Sequence, residues 1–409
     1  MQSIVIDKPY VPVPPYRGRT WPALLSPYIP RLLRKRYGVT HVECLHAERL
    51  KASLDAGHGI LLAPNHSRDE DPFVLNSLSR AVHSPMFIMA SWHVFMQGKW
   101  KAFLLNRAGA FSIYREGIDR AAVNTAVDIL ESAARPLVIF PEGIMNRTND
   151  VINELLDGTA LIARTAAKRR AKTDANKKVV IHPIAIRYRF VGDIIAAASK
   201  VLDEIETRLT WARQPLPLQQ RIHKAGSALL ALKELEYLGQ ADNGPVAPRL
   251  EKLAGAILAP LEDQWLAQRH ADSVPTRVKR LRSAILPDMT KGELDEAESQ
   301  RRWKNLADLY LAQQLFHYPP DYLDGNPSPE RIMETIERLE QDLTDRIRVH
   351  GQIHTTITVG QAIEVSPDRP RGGDPLLGQV RDQLENMLGI KAPAQAKETP
   401  DVHPGLRED

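Results

Sequence analysis

Between residues 40 and 190, short apolar runs alternate with stretches long enough for helices, and this alternation is the tightest constraint on the fold. Runs at 59–63, 85–90, 110–114, 136–140 and 179–187 read as strands; 71–81, 119–132 and 154–170 read as helices. Strands that are apolar throughout are covered on both faces. The segment is therefore expected to form an α/β domain with a largely buried sheet.

In such sheets ligands sit beyond the carboxyl ends of the strands. His66, Arg115 and Glu142 all fall at such ends: His66 after 59–63, Arg115 after 110–114, and Glu142 in the Pro141-Glu142-Gly143 turn after 136–140. Asp71 stands five residues after His66, at a predicted helix start. A histidine held by a carboxylate makes a general base near neutral pH. The same stretch has a second reading. Ser67 and Glu70 form a Ser-x-x-Glu capping box, and Asp69, Glu70 and Asp71 suit a helix N-terminus.

Composition sets limits on the rest. The chain has 409 residues, of which 43% are hydrophobic and 25% charged, and its formal net charge is +4. No apolar run approaches the roughly eighteen residues that span a bilayer. The first seven residues lack the basic segment and apolar core of a signal peptide. One cysteine, Cys44, excludes an internal disulfide framework and fits a reducing compartment. No Cys/His cluster has metal-ligand spacing, so no metal site is expected.

Charge is uneven at the start of the chain. Lys8, Arg17, Arg19, Arg31, Arg34, Lys35 and Arg36 precede Glu43 with no acid among them after Asp7, interleaved with Tyr16, Trp21, Leu24, Tyr28 and Leu32. This mixture in residues 1–40 suits an anionic membrane surface. It equally suits an arm packed on its own domain with solvated charges. Nucleic acid is not expected as a partner, since no further basic-aromatic platform follows.

Three blocks resemble the glycerolipid acyltransferases, which include the glycerol-3-phosphate and 1-acylglycerol-3-phosphate enzymes. They are Asn65-His66-x4-Asp71, Gly109-Ala110-Phe111-x-Ile113-x-Arg115 and Phe140-Pro141-Glu142-Gly143. Val180-Ile181-His182-Pro183-Ile184-Ala185-Ile186 is similar to a fourth. The resemblance extends to a late strand with a Val-x-x-Gly-x-x-Ile pattern, placed at 356–365 and followed by a helix at 376–388. It implies an acyltransferase-type sheet flanked by helices, with a large helical insertion before the last strand. The acyltransferase domain then comprises 41–190 and 351–390, and 191–350 is the insertion. Helices are expected there at 201–211, 218–238, 248–267, 294–316 and 329–349, punctuated by prolines that include Pro275 and Pro287. No repeat period is evident in the insertion, which reads as a lid or docking module. The tail, 391–409, is polar and reads as disordered.

The resemblance implies that His66 removes the acceptor hydroxyl's proton as it attacks a thioester, while Asp71 fixes the imidazole tautomer. This is the serine-hydrolase arrangement with the substrate supplying the hydroxyl. The donor would be acyl-CoA or an acyl-carrier protein, with no cofactor. Arg115 and Glu142 would bind the acceptor's phosphoglycerol part, with Gly143 in the same turn; Asn65 would line or brace the site. The Pro141-Glu142-Gly143 turn is the candidate oxyanion region. Many relatives carry Thr-Arg-Ser after Phe-Pro-Glu-Gly, and here Met145 stands where that arginine belongs; Arg147 is the candidate replacement. The implied acceptor is 1-acylglycerol-3-phosphate or glycerol-3-phosphate, at the inner, cytoplasmic face of a membrane, with the protein peripheral. The alternatives are another lysolipid or hydroxyl-bearing lipid, a thioesterase, and a non-catalytic membrane-associated protein of the same fold.

Overall fold

A computed structural model describes residues 10–115, 119–174, 176–212, 215–269, 271–291, 294–344, 346, 348–368 and 375–390. The tail at 391–409 and the first nine residues, Lys8 included, lie outside the described residues. Two short helices, α1 (Thr20–Leu25) and α2 (Ile29–Leu32), precede strand β1 (Val39–Leu45). Helix α3 (Ala47–Asp55) leads to β2 (Gly59–Pro64), in which every residue is buried. Then come α4 (Asp71–Ala81), β3 (Phe87–Ser91), α5 (Trp92–Met96), α6 (Lys99–Ala108) and β4 (Ala110–Ile113). The alternation continues with α7 (Arg120–Ser132), β5 (Leu137–Val138), α8 (Asp157–Ala171) and β6 (Val179–Val191).

Six helices separate β6 from the last strands: α9 (Ile194–Arg208), α10 (Leu218–Leu238), α11 (Val246–Trp265), α12 (Val274–Lys291), α13 (Glu296–Phe316) and α14 (Pro329–Thr344). The chain then returns as β7 (Gln352–Val359), β8 (Ile363–Glu364) and α15 (Pro375–Leu388). The strand order is β1-β7-β6-β2-β5-β3-β4, with β8 paired to β6. Strands β6, β2, β5, β3 and β4 run parallel, and β7 joins β6 antiparallel. The fold is the mostly parallel sheet flanked by helices that the alternation predicts.

The two faces of β2 explain the layers. Leu61 and Ala63 point into a core closed by α7, α8 and α15, while Ile60 and Leu62 point into the core around α4. Both faces being covered is what a continuous Gly-Ile-Leu-Leu-Ala run requires. The insertion adds two smaller cores, one among α11, α12 and α13, the other among α9, α10 and α14.

Several expectations need correction. The strand at 136–140 is paired over Leu137–Val138, with one further backbone bond at each end, Phe87 N–H to the Pro136 carbonyl (2.8 Å) and Ile139 N–H to the Leu62 carbonyl (3.0 Å). The strand at 356–365 is two strands, broken at Gly360, whose N–H donates to the Pro183 carbonyl at 2.8 Å. A side chain there would meet that carbonyl at 2.9 Å, so the break is enforced by close approach. Helix α12 spans Pro275 and Pro287 rather than stopping at them. Pro275 lies in the first turn, where its missing N–H would be unpaired anyway, and Pro287 lies near the last.

The insertion also has a period. Helices α10, α11 and α12 begin at Leu218, Val246 and Val274, each 28 residues after the last. Arg221, Arg249 and Arg277 recur at this spacing, as do Leu230, Leu258 and Leu286. Each arginine forks onto a glutamate of the preceding helix, with distances between 2.7 and 2.9 Å: Glu206, Glu234 and Glu262, again 28 apart. One bidentate pair therefore joins α9 to α10, α10 to α11, and α11 to α12.

The amino-terminal arm packs on the domain from residue 10 to 18. Ser112 N–H donates to the Val13 carbonyl at 3.0 Å, and Val13 N–H donates to Ser112 Oγ at 2.7 Å. Arg135 donates to the carbonyls of Tyr16 and Gly18 at 2.7 and 3.3 Å. The arm thereby covers β4, the edge strand.

Candidate active site

The catalytic candidates meet where β2 ends. His66 Nδ1 lies 2.8 Å from Asp71 Oδ2. With the proton on Nδ1 donated to Asp71, Nε2 is left as the basic nitrogen for a substrate. Asp71 is fully buried in the first turn of α4. Four donors compensate that burial: His66, the backbone N–H groups of Ser67 (2.8 Å) and Arg68 (3.0 Å), and the Tyr188 hydroxyl at 2.5 Å. The capping-box reading is not what forms. Ser67 Oγ is buried without a partner, and Glu70 accepts from Arg68 Nε at 2.7 Å instead.

The His66 main chain is clamped from the next loop. Its N–H donates to Glu142 Oε1 at 2.9 Å, and its carbonyl accepts from Asn146 N–H at 2.8 Å. Glu142 Oε2 accepts from Asn146 Nδ2 at 3.0 Å and Asn153 N–H at 2.8 Å. Burial pushes the Glu142 carboxyl up to about 7, against the pull of these donors. Both its oxygens thus hold the protein's own loops. The His66 ring also rests on Phe140, with centroids 4.2 Å apart.

Asn65 closes a gap in the sheet. Strand β2 stops opposite Ile184, which leaves the next backbone groups of β6 without a strand partner. The Asn65 amide donates to the Ile186 carbonyl (3.0 Å) and accepts from its N–H (2.7 Å); Asn149 does the same for Tyr188 at 2.9 Å each way. These two side chains replace a strand edge and hold Tyr188 over Asp71.

Gly143 sits at φ +70°, a left-handed value, in a turn closed by its N–H donating to the Phe140 carbonyl at 3.1 Å. Pro141 has no N–H, so of this turn only Glu142 retains one for an oxyanion, a narrower supply than the turn's sequence suggests. Arg115 is exposed, and its Nη2 would stand 3.9 Å from a Cβ at Gly143. Arg147 is also left-handed, at φ +63°, and its Nη2 donates to the Tyr310 hydroxyl of α13 at 3.3 Å.

The insertion reaches this site. Arg68 bonds Glu337 of α14 at 3.0 Å as well as Glu70. Burial would lower Arg68, but Glu337 and Glu70 outweigh it and hold the group well above the ordinary arginine value. Burial pushes Glu70 up to about 7. Sequence reasoning missed Tyr188, Asn146, Asn149, Arg68 and Glu337. Of these, Tyr188 could have been found by period-two alternation, since it shares a face with Ile184 and Ile186. Among the described residues no group of three His, Cys, Asp or Glu could hold a metal ion. No described helix is long and apolar enough to cross a membrane.

A histidine–carboxylate pair thus stands at the carboxyl edge of the parallel strands. Residues 41–187 match the acyltransferase family model. The matched segment runs from β1 into β6 and stops short of the insertion. No curated protein and no solved structure matches the chain.

Proposed function

We propose that this acyltransferase moves a fatty acyl group from acyl-CoA or an acyl-carrier protein to a hydroxyl of 1-acylglycerol-3-phosphate or glycerol-3-phosphate. The observation that carries the reading is the His66–Asp71 hydrogen bond at 2.8 Å, with Asp71 buried and four times bonded. His66 Nε2 takes the acceptor's proton as its oxygen attacks the thioester carbonyl. Asp71 stabilises the resulting imidazolium, which then returns the proton to the departing thiolate. General-base assistance of this kind contributes about 100- to 10,000-fold. Arg115, beside Gly143, and Arg147 take the acceptor's phosphate in this reading, and Glu142 positions His66 through its main chain. In this reading 41–190 with 351–390 is the catalytic unit and 191–350 its cover.

The enzyme works at a membrane surface in this proposal, from the cytoplasmic side. Trp100 is 79% and Tyr28 71% exposed, beside exposed Leu24 and Leu104. Trp21 of α1 packs edge-on against Phe103 of α6 at 5.4 Å, so the helices carrying Leu24 and Trp100 are neighbours. Exposed Arg31, Arg34, Lys35 and Lys99 belong to the same segments. Apolar groups set among cations suit anionic headgroups.

The test is acyl transfer by purified protein and its His66→Ala variant. Acyl-CoA is offered with lysophosphatidate, glycerol 3-phosphate or a neutral lysolipid, following thioester loss and lipid product. Product that vanishes in the variant supports the reading. Undiminished transfer removes His66 from the mechanism, and thioester loss without lipid product marks a thioesterase.

A further inference from the structure

Two clefts open between the loop after β5 and the insertion, and both are lined by Arg147, Glu334 and Arg338. The larger one also reaches Met145 and Ser67, the residue after the general base. Four arginines border that cleft. Arg68 is paired with Glu70 and Glu337, and Arg348 with Glu204 and Glu340. Arg147 and Arg338 have no ion pair among the described residues. Arg147 donates to the Tyr310 hydroxyl, and Arg338 donates to the carbonyls of His317 (3.0 Å) and Gln314 and lies over the Tyr318 ring.

Of the carboxyl groups lining this cleft, Glu70 and Glu337 are engaged by Arg68. Glu334 accepts from Asn149 and Tyr322, and burial pushes it up to about 8, so it is mostly uncharged near neutrality. Asp342 is exposed on α14 and makes no ion pair with either arginine among the described residues. Burial lowers Arg338 most; Asp342 opposes this and Arg147 adds to it. Two neighbouring cations in a desolvated cleft are costly unless an anion joins them.

We propose that α14 completes the acceptor's phosphate subsite: Arg338, together with Arg147, binds the phosphate monoester of an acceptor whose hydroxyl reaches His66. An arginine has five N–H groups, and Arg338 uses two on backbone carbonyls, so a planar edge is left for phosphate oxygens. This offers a reason for Met145: Arg147 of the same loop and Arg338 of the insertion together take the place of the arginine that Met145 displaces. The inference rests on the acyltransferase reading of His66.

Calorimetric titration of the full-length protein with glycerol 3-phosphate, and separately with coenzyme A, tests it. Arg338→Gln and Arg147→Gln are each expected to weaken glycerol 3-phosphate binding about tenfold or more, leaving coenzyme A affinity unchanged. The proposal is overturned if folded variants bind the probe like the unaltered protein, if only coenzyme A binding weakens, or if the unaltered protein binds no glycerol 3-phosphate. Arg338→Gln also removes two bonds within the insertion, so hydrogen exchange is measured on the unaltered protein. Glycerol 3-phosphate is expected to slow exchange at 329–344 as well as 143–149; slowing at 143–149 alone overturns the role of α14. A His66→Ala variant that binds the probe and keeps its turnover would sink the general-base reading while leaving the subsite standing.

Discussion

The Tyr188 hydroxyl donates to Asp71 Oδ1 at 2.5 Å, on the side of the carboxylate that His66 does not use. Burial first, and then Asp71, raises this phenol well above its ordinary range, so it stays a donor at any working pH. Tyr188→Phe leaves one oxygen of a buried carboxylate without its partner, a loss of about 1–3 kcal/mol. We expect kcat to fall about tenfold or more with KM for the acyl donor unchanged. Steady-state kinetics on a variant with an unaltered circular dichroism spectrum checks this. A drop in KM and kcat together would argue for altered binding instead.

Asp71→Asn keeps the size of the side chain but turns a pure acceptor into one that also donates. It would disturb the imidazole tautomer and weaken the N–H bonds from Ser67 and Arg68. Turnover is expected to fall by at least about 100-fold. Donor binding, followed by quenching of intrinsic fluorescence, is expected to persist. Retained turnover would remove Asp71 from the catalytic pair.

Glu142 has an unusual pH signature. Its carboxyl is raised in the fold, so the native state holds a proton that the unfolded chain has lost between about pH 4.5 and 7. The stabilisation is complete below the unfolded value and disappears as pH rises through about 7. Denaturant midpoints at pH 5, 6 and 7 are expected to decline more steeply for the wild type than for Glu142→Gln, by about 1–3 kcal/mol over the window. Parallel curves for the two proteins would refute the assignment.

Trp100 and Tyr28 are large apolar groups left in solvent by the fold. Replacing both with alanine is expected to reduce flotation with anionic vesicles about tenfold. Transfer to a soluble acceptor such as glycerol 3-phosphate should be unaffected. Equal flotation would detach this face from the membrane proposal.

Glu234→Ala strands the buried Arg249 and is expected to cost about 3 kcal/mol in chemical denaturation. The double change Glu234→Leu with Arg249→Leu should recover most of it. If the single change costs nothing, the recurring pair is ornament rather than a joint between helices.

Much of the sheet was legible because its strands are short apolar words bounded by turn residues. β2 and α4 fall within a residue of expectation, and the His66–Asp71 pairing forms. Strand β1 was missed because Val39 is its one buried residue and His41, Glu43 and Leu45 face outward, which leaves no apolar run to mark it. The 28-residue period escaped notice because it is carried by isolated positions, an arginine, a glutamate and a few aliphatics, and not by a contiguous motif. The bonds that set the site, Tyr188 to Asp71 and Glu337 to Arg68, span long separations that local patterning cannot see.

Val191 and Gln352 are partners in the β6–β7 ladder, although the whole insertion lies between them. The cost of bringing two chain segments together grows only with the logarithm of their separation while the intervening chain is flexible. An insertion whose helices are already joined by local Glu–Arg pairs presents its two ends as one object. We expect the ladder's closure to come late in folding, gated by the helices rather than by the sheet. Slow refolding of the complete chain, with helical signal returning before the His66 centre regains activity, is the kinetic trace such an order would leave.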